Sequence, residues 1–253
     1  MGEGFLQHPG NEALRAALHT GELSKDAYFQ QLLRLVYRLI FLFSVEERGL
    51  LHGNDDSQEA LAARRAYAEG YALARLRDLC LKRRARNRFD DHWQAVRIVF
   101  RGLADGERRL ALPALGGLFA VSQCPHLDAA SLDNAHLLAA VQHLRWANHN
   151  GALAPVDYRN MGPEELGSVY ESLLELVPDI DLPARTFGFV GVANSEWRGV
   201  ANSEWRVVNG KEEDHSPLAT HHSPFSHEGQ RPQTNRQLLH PRQPGARADP
   251  IRA

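Results

Sequence analysis

The chain has 253 residues, 43% of them hydrophobic and 24% charged, enough apolar material to bury a core in one large domain or two small ones. A formal charge of -2 and a pI near 6.7 exclude a uniformly basic nucleic-acid binder, so contact with DNA would need a local basic patch. Cys80 and Cys124 lack Cys-x-x-Cys spacing, and the opening residues from Met1 carry no secretory signal; a cytoplasmic protein without disulfides is expected.

Residues 1–23 read as a short mixed segment, with a turn at Pro9-Gly10 and one or two helical turns from Asn11, as cap, to Leu18. A long helix is expected from the N-cap Ser24 to about Arg48, with Asp26 in its first turn and Gly49 behind its last. Phe29, Leu32, Leu33, Val36, Leu39, Ile40 and Phe43 form one apolar face. Leu35, Phe41 and Leu42 widen that face, so this helix should be central. Its most apolar run, Leu32 to Phe43, holds Arg34 and Arg38 and is shorter than the about 18 residues of a bilayer span, so no membrane partner is expected.

Ser57 opens an Ala-, Leu- and Arg-rich stretch that reads as one helix continuing toward Arg86. Asp90 and Asp91 start the next, with Trp93, Val96, Val99, Phe100 and Leu103 on one face and a stop at Gly106. After a loop with Pro113, Gly116 and Gly117, the run Ser131 to Asn134 caps a helix to about Trp146. Gly162-Pro163 breaks the chain again. Glu164 and Glu165 fall in the first turn of a helix striped by Leu166, Val169, Tyr170, Leu173, Leu174 and Val177. Gly167 lies inside it, although glycine costs about 1 kcal/mol there relative to alanine, which points to another backbone in close approach. Asp179 to Leu182 and Arg185 to Val190 alternate about Pro183-Ala184 and read as a β-hairpin. The expected fold class is mainly α, a helical bundle-like domain over residues 24–190 closed by a short hairpin.

From Gly191 the character changes. The string GVANSEWR occupies Gly191 to Arg198 and again Gly199 to Arg206, a period too short for a solenoid unit and better explained by a duplicated stretch of DNA. Val207 to Ala253 is rich in His, Pro, Arg, Gln and Ser, and residues 191–253 are expected to be a disordered tail.

Chemistry-bearing patterns are few. No dinucleotide or P-loop glycine string is present. His136 and His143 read as helix surface or packing, and no Cys/His set has zinc spacing, so no metal is expected. Asp179 and Asp181 lack a lysine at a usable distance, Lys211 being the next, and read as surface carboxylates of the hairpin. The one basic concentration is Lys82, Arg83, Arg84, Arg86 and Arg88, with Arg75 and Arg77 upstream. Such a stripe would neutralise phosphates in a weak, sequence-indifferent DNA contact; the alternative is a solvated helix face balanced by Glu69, Asp78, Asp90 and Asp91. Trp93 and Trp146 fall at core spacing.

Two strings, LALPALGGLF at Leu110 to Phe119 and VDYRNMGPEELGSVYESLLEL at Val156 to Leu176, carry a resemblance. With LVYRLIFLFSVEERGLL (Leu35 to Leu51) and RFDDHWQAVRIVFRGLADGE (Arg88 to Glu107), they resemble the helical region preceding the catalytic domain in type IIG-like adenine-specific DNA methyltransferases of restriction-modification and phage-defence systems. The resemblance spans roughly residues 24–190 and ends before any catalytic motif. It implies S-adenosylmethionine as cofactor of the intact family, and DNA and other restriction-modification or defence subunits as partners. The sequence holds neither a cofactor glycine loop nor an Asn-Pro-Pro-Tyr motif for a flipped adenine, so no catalytic or cofactor-binding residue is assigned to it.

The tail extends this expectation. Gln233 to Ala253 admits a coding sequence that, read one nucleotide later, gives RQTGSYYTPDSLVRALIQSA, which resembles the TGSYYTP entry motif of the same family's methyltransferase domain. The chain is therefore expected to be an N-terminal fragment left by a repeat insertion and a frameshift. The competing class is a stand-alone helical interaction or DNA-binding module.

Overall fold

The computed structural model describes residues 1–149, 152–174 and 176–190, and these are mainly α-helical. The expected tail and its repeat, from Gly191, lie outside the described residues. Helices α1 (Gly2–Gln7) and α2 (Glu12–Thr20) precede the long helix α3 (Lys25–Arg48). As expected, Ser24 caps α3 by accepting the Ala27 N–H at 3.1 Å, and Gly49 ends it at φ 66°, where glycine carries no Cβ penalty. The helix buries side chains around most of its circumference, including Tyr28, Leu35, Leu39, Ile40 and Leu42, and is the axis of the core.

Residues 1–23 belong to that same core. Phe5 and Leu6 are fully buried, and the Phe5 ring meets Trp93 edge-on at 5.4 Å. Asn11 stands at the N-cap position of α2 but makes no side-chain cap bond, because its amide is used elsewhere. Its Nδ2 donates to the carbonyls of Phe5 and Ser131, and its Oδ1 accepts the Ser131 N–H. That amide ties the amino-terminal helices to the turn at Ser131.

The single helix expected from Ser57 toward Arg86 is broken. The chain forms α4 (Gln58–Gly70), turns at Tyr71 and Ala72, resumes as α5 (Leu73–Leu79), and then makes one 3-10 turn at Arg83–Ala85. Helix α6 (Asp91–Asp105) buries Trp93, Val96, Val99, Phe100 and Leu103, the face expected of it. The loop beyond it carries Gly116 and Gly117 at φ 58° and 49° and leads to the short α7 (Pro125–Ala129). Helix α8 (Asn134–Arg145) is capped by Asp133, which accepts the His136 N–H at 2.8 Å. It runs straight into a hairpin not foreseen in the sequence, β1 (Trp146–His149) paired antiparallel with β2 (Ala152–Pro155).

Helix α9 (Pro163–Leu174) follows Gly162 as expected. Of its stripe, Leu173 is half-buried and Val177, beyond its end, is exposed; the side chains of Leu166, Val169, Tyr170 and Leu174 lie outside the described set. The close approach expected at Gly167 is not found: nothing lies within 4 Å of where its Cβ would be. Glycines that do admit a close neighbour include Gly4, where a Cβ would lie 2.5 Å from the His136 ring, Gly102, where it would lie 2.8 Å from Leu112, and Gly2, where it would lie 2.9 Å from the Phe187 ring. Strands β3 (Pro178–Asp181) and β4 (Thr186–Phe189) form the expected terminal hairpin. It packs Phe187 and Phe189 on Phe29 of α3 at 6.4 and 5.5 Å between ring centres.

Arg38, in the most apolar stretch of the sequence, is fully buried. Its guanidinium pairs with Asp128 of α7 at 2.7 Å and donates to the carbonyls of Leu118 and Ala120 at 2.9 and 3.2 Å. These bonds offset the cost of burying the Arg38 charge, and they also fix the loop that follows Gly116-Gly117.

Candidate nucleic-acid interface

The basic residues singled out in the sequence do not share one helix face. Arg75 and Arg77 lie on α5, and Lys82 to Arg88 lie in the loop joining α5 to α6. That loop is anchored from beneath by α8. Arg86 turns inward, donating to the Cys80 carbonyl through Nε and Nη2 and to the Gln142 side chain through Nη2. Asn134, fully buried at the first turn of α8, donates from Nδ2 to Asn87 Oδ1 at 2.8 Å and to Asp91 Oδ1 at 2.7 Å, while its own Oδ1 accepts the His92 N–H. The Asn134 and Ala135 amides donate to the carbonyls of Phe89 and Asn87.

This anchoring sorts the seven cations. Lys82, Arg83 and Arg84 are exposed, and no carboxylate among the described residues pairs with them. Arg88 is exposed, with its guanidinium 6.0 Å from the centre of the Phe89 ring. Arg86 is a structural strut and cannot present its charge to a ligand without giving up the loop. Arg77 pairs with Asp78 at 2.9 Å, a bond that raises its pKa, and Arg75 donates to the Gly70 carbonyl. A carboxylate thus balances Arg77 of α5, while Arg75 meets only a backbone carbonyl and Lys82, Arg83 and Arg84 of the loop are left unbalanced. Phe89 is 61% exposed, and as an isolated aromatic between Arg88 and Asp90 it gives no periodic signal in the sequence.

Below α5 lies a cavity of about 210 Å³ lined by Phe43, Glu46, Glu47, Ala74, Arg77 and Arg145. Arg145 is nearly fully buried, paired with Glu47 and set against the rings of Phe43 and Tyr158 at 4.9 and 5.0 Å. Burial raises the pKa of Glu46, while its bonds to Tyr67, Leu73 and Ala74 pull it down. Glu46, Glu47 and Arg145 tie α3, α5 and α8 together, while Arg145 Nε and Nη1 find no hydrogen-bond partner among the described residues. Asp179 is exposed and near Lys25 at 3.9 Å, while Asp181 accepts the Ala184 N–H, so the two act as hairpin carboxylates. His136 bonds Asp133 at 2.8 Å. Trp93 is fully buried and donates to the Ala130 carbonyl, and Trp146 is half-buried against the core, so neither is a base platform. Among the described residues no three His, Cys, Asp or Glu side chains converge on a metal position, and no helix is long and apolar enough to cross a membrane.

No protein-family model, curated protein or solved structure matches the chain.

Proposed function

We propose that the chain is an N-terminal fragment of a site-specific adenine DNA methyltransferase of a restriction-modification or phage-defence system. In the intact enzyme its helical domain serves as a platform beside the catalytic domain, with DNA and other subunits of that system as partners, in the cytoplasm. The observation that carries this reading is the order of strings in the sequence. The Leu110 to Phe119 and Val156 to Leu176 strings are followed, in a shifted frame over Gln233 to Ala253, by the family's TGSYYTP entry motif. The first of these strings forms the Gly116-Gly117 loop whose carbonyls are held by the buried Arg38, so the resemblance falls on a part of the fold with a structural task. S-adenosylmethionine and the target adenine belong, on this reading, to a domain whose motifs the sequence lacks, and the fragment alone is inactive.

Sequencing the gene through the codons for 191–253 and beyond its stop tests the proposal. It requires that a one-base shift open a frame encoding Tyr-Tyr-Thr-Pro and later Asn-Pro-Pro-Tyr. Absence of any such frame would sink it. A second reading, a stand-alone module that binds DNA non-specifically, draws on the unbalanced cations of Lys82, Arg83 and Arg84. Weak duplex binding without a downstream methyltransferase frame would favour it.

A further inference from the structure

We propose that the loop between α5 and α6 is a stacking platform for single-stranded nucleic acid: the Phe89 ring takes one unpaired base, and Lys82, Arg83, Arg84 and Arg88 take the neighbouring phosphates. The proposal rests on the reading that this basic loop faces nucleic acid, and it adds the strand state and an aromatic contact that duplex phosphate binding does not need.

Single exposed apolar side chains are ordinary on protein surfaces, so exposure of Phe89 alone carries nothing. What distinguishes it is that its backbone is fixed on both sides. The Phe89 N–H donates to Asn87 Oδ1 at 3.0 Å, and the Phe89 carbonyl accepts the Asn134 N–H at 2.6 Å. Asn87 is itself held by Asn134 Nδ2 and by the Ala135 amide, and Arg86 clamps the preceding turn to Gln142. A loop held this firmly does not expose its aromatic through looseness; it fixes the backbone from which the ring projects into solvent. The guanidinium of Arg88 stands over the ring, 6.0 Å from its centre, and the exposed Lys82, Arg83 and Arg84, which pair with no carboxylate among the described residues, stand on the same loop.

A cationic path beside an exposed aromatic is the arrangement that binds single strands, because every base has a π-face while the phosphates supply sequence-independent attraction. In a duplex the base faces are already stacked on each other, and only the phosphate part of the site is usable. Phe89 therefore discriminates strand state, and the cations do not.

The test uses the full 253-residue chain at low salt, with fluorescence anisotropy of labelled oligo(dT), an abasic deoxyribose-phosphate strand of equal length, oligo(U) and a mixed-sequence duplex. Oligo(dT) or oligo(U) should bind more tightly than the abasic strand; whichever is tighter identifies DNA or RNA as the source. Phe89→Ala should weaken binding to the base-bearing strand about tenfold, leave the abasic strand and the duplex unchanged, and be rescued by Phe89→Tyr. Circular dichroism of each variant confirms that the exposed position leaves the fold intact. Equal affinity of wild type and Phe89→Ala for the base-bearing strands overturns the proposal, as does an equal loss on the abasic strand. The double substitution Arg83→Glu, Arg84→Glu separates the two readings. If it abolishes binding while Phe89→Ala does nothing, the phosphate contact stands and the stacking site falls; if neither matters, both fall.

Discussion

The carboxylate of Glu46, in the last turn of α3, accepts the backbone N–H of Leu73 at the head of α5, 2.8 Å away. Its second oxygen accepts the Ala74 N–H at 3.0 Å, and the Tyr67 hydroxyl donates to the first at 2.5 Å. One side chain thus supplies the cap that the start of α5 lacks locally and ties down the end of α4. Glu46→Ala leaves two amides and a buried hydroxyl without their acceptor, and should lower stability by about 2–4 kcal/mol. Urea denaturation reads this, and an unchanged midpoint would contradict the capping role.

The same carboxyl gives a pH dependence of unusual sign. Burial raises its folded-state pKa, so the folded chain holds that proton more tightly than the unfolded one. Its contribution is then greatest below the unfolded value and declines as pH rises through the window up to the folded one. The stability of wild type relative to Glu46→Gln should fall as pH rises above the ordinary glutamate range of about 4. Paired urea titrations across that rise measure it; a gap that widens with pH would mean that the hydrogen bonds outweigh burial.

Arg86 and its neighbours should behave in opposite ways. Arg86→Ala removes donors to the Cys80 carbonyl and Gln142 and should lower stability by about 1–2 kcal/mol, leaving the salt dependence of duplex binding intact. With roughly three phosphates neutralised, log affinity should fall against log salt with a slope of about -3, and Arg83→Glu with Arg84→Glu should remove most of it. Anisotropy titrations at several salt concentrations decide this, and a slope indifferent to the charge reversal would remove the loop from the interface.

Two glycines offer a stability test of the packing. Gly4→Ala would place a methyl 2.5 Å from the His136 ring and 2.6 Å from its Cβ, the base of the side chain rather than a flexible tip, and should cost about 1–3 kcal/mol. Gly167→Ala meets nothing within 4 Å on an exposed helix position and should stabilise by up to about 1 kcal/mol. Thermal denaturation of both variants checks the pair, and equal effects would contradict this packing of α1 against α8.

Methyl transfer is the sharpest functional prediction. The purified chain, incubated with labelled S-adenosylmethionine and mixed-sequence duplex, should transfer no label above a blank, and cofactor titration should release no heat of binding. Reproducible labelling of adenine by this chain alone would overturn the proposed origin as a fragment.

What the sequence alone determined is what residues within a few positions of each other decide. The bounds of α3 follow from Ser24 and Gly49, the buried face of α6 from a 3.6-residue period, and the β3–β4 hairpin from alternation about Pro183-Ala184. The basic loop was legible as charge. Tertiary structure decided the rest, because a buried polar group must find its partner wherever the fold brings one. The break before α5 depends on Glu46, 27 residues upstream of Leu73, and so an apparently continuous helical pattern became two helices. The inward turn of Arg86 depends on Gln142, 56 residues away, and the anchoring of the Phe89 backbone depends on Asn134. Arg38, a charge inside an apolar run, became a core residue because Asp128 and two loop carbonyls, 80 to 90 residues distant, complete its hydrogen bonds. Charge and periodicity are local properties of a chain, whereas the satisfaction of buried donors and acceptors is a property of the whole fold.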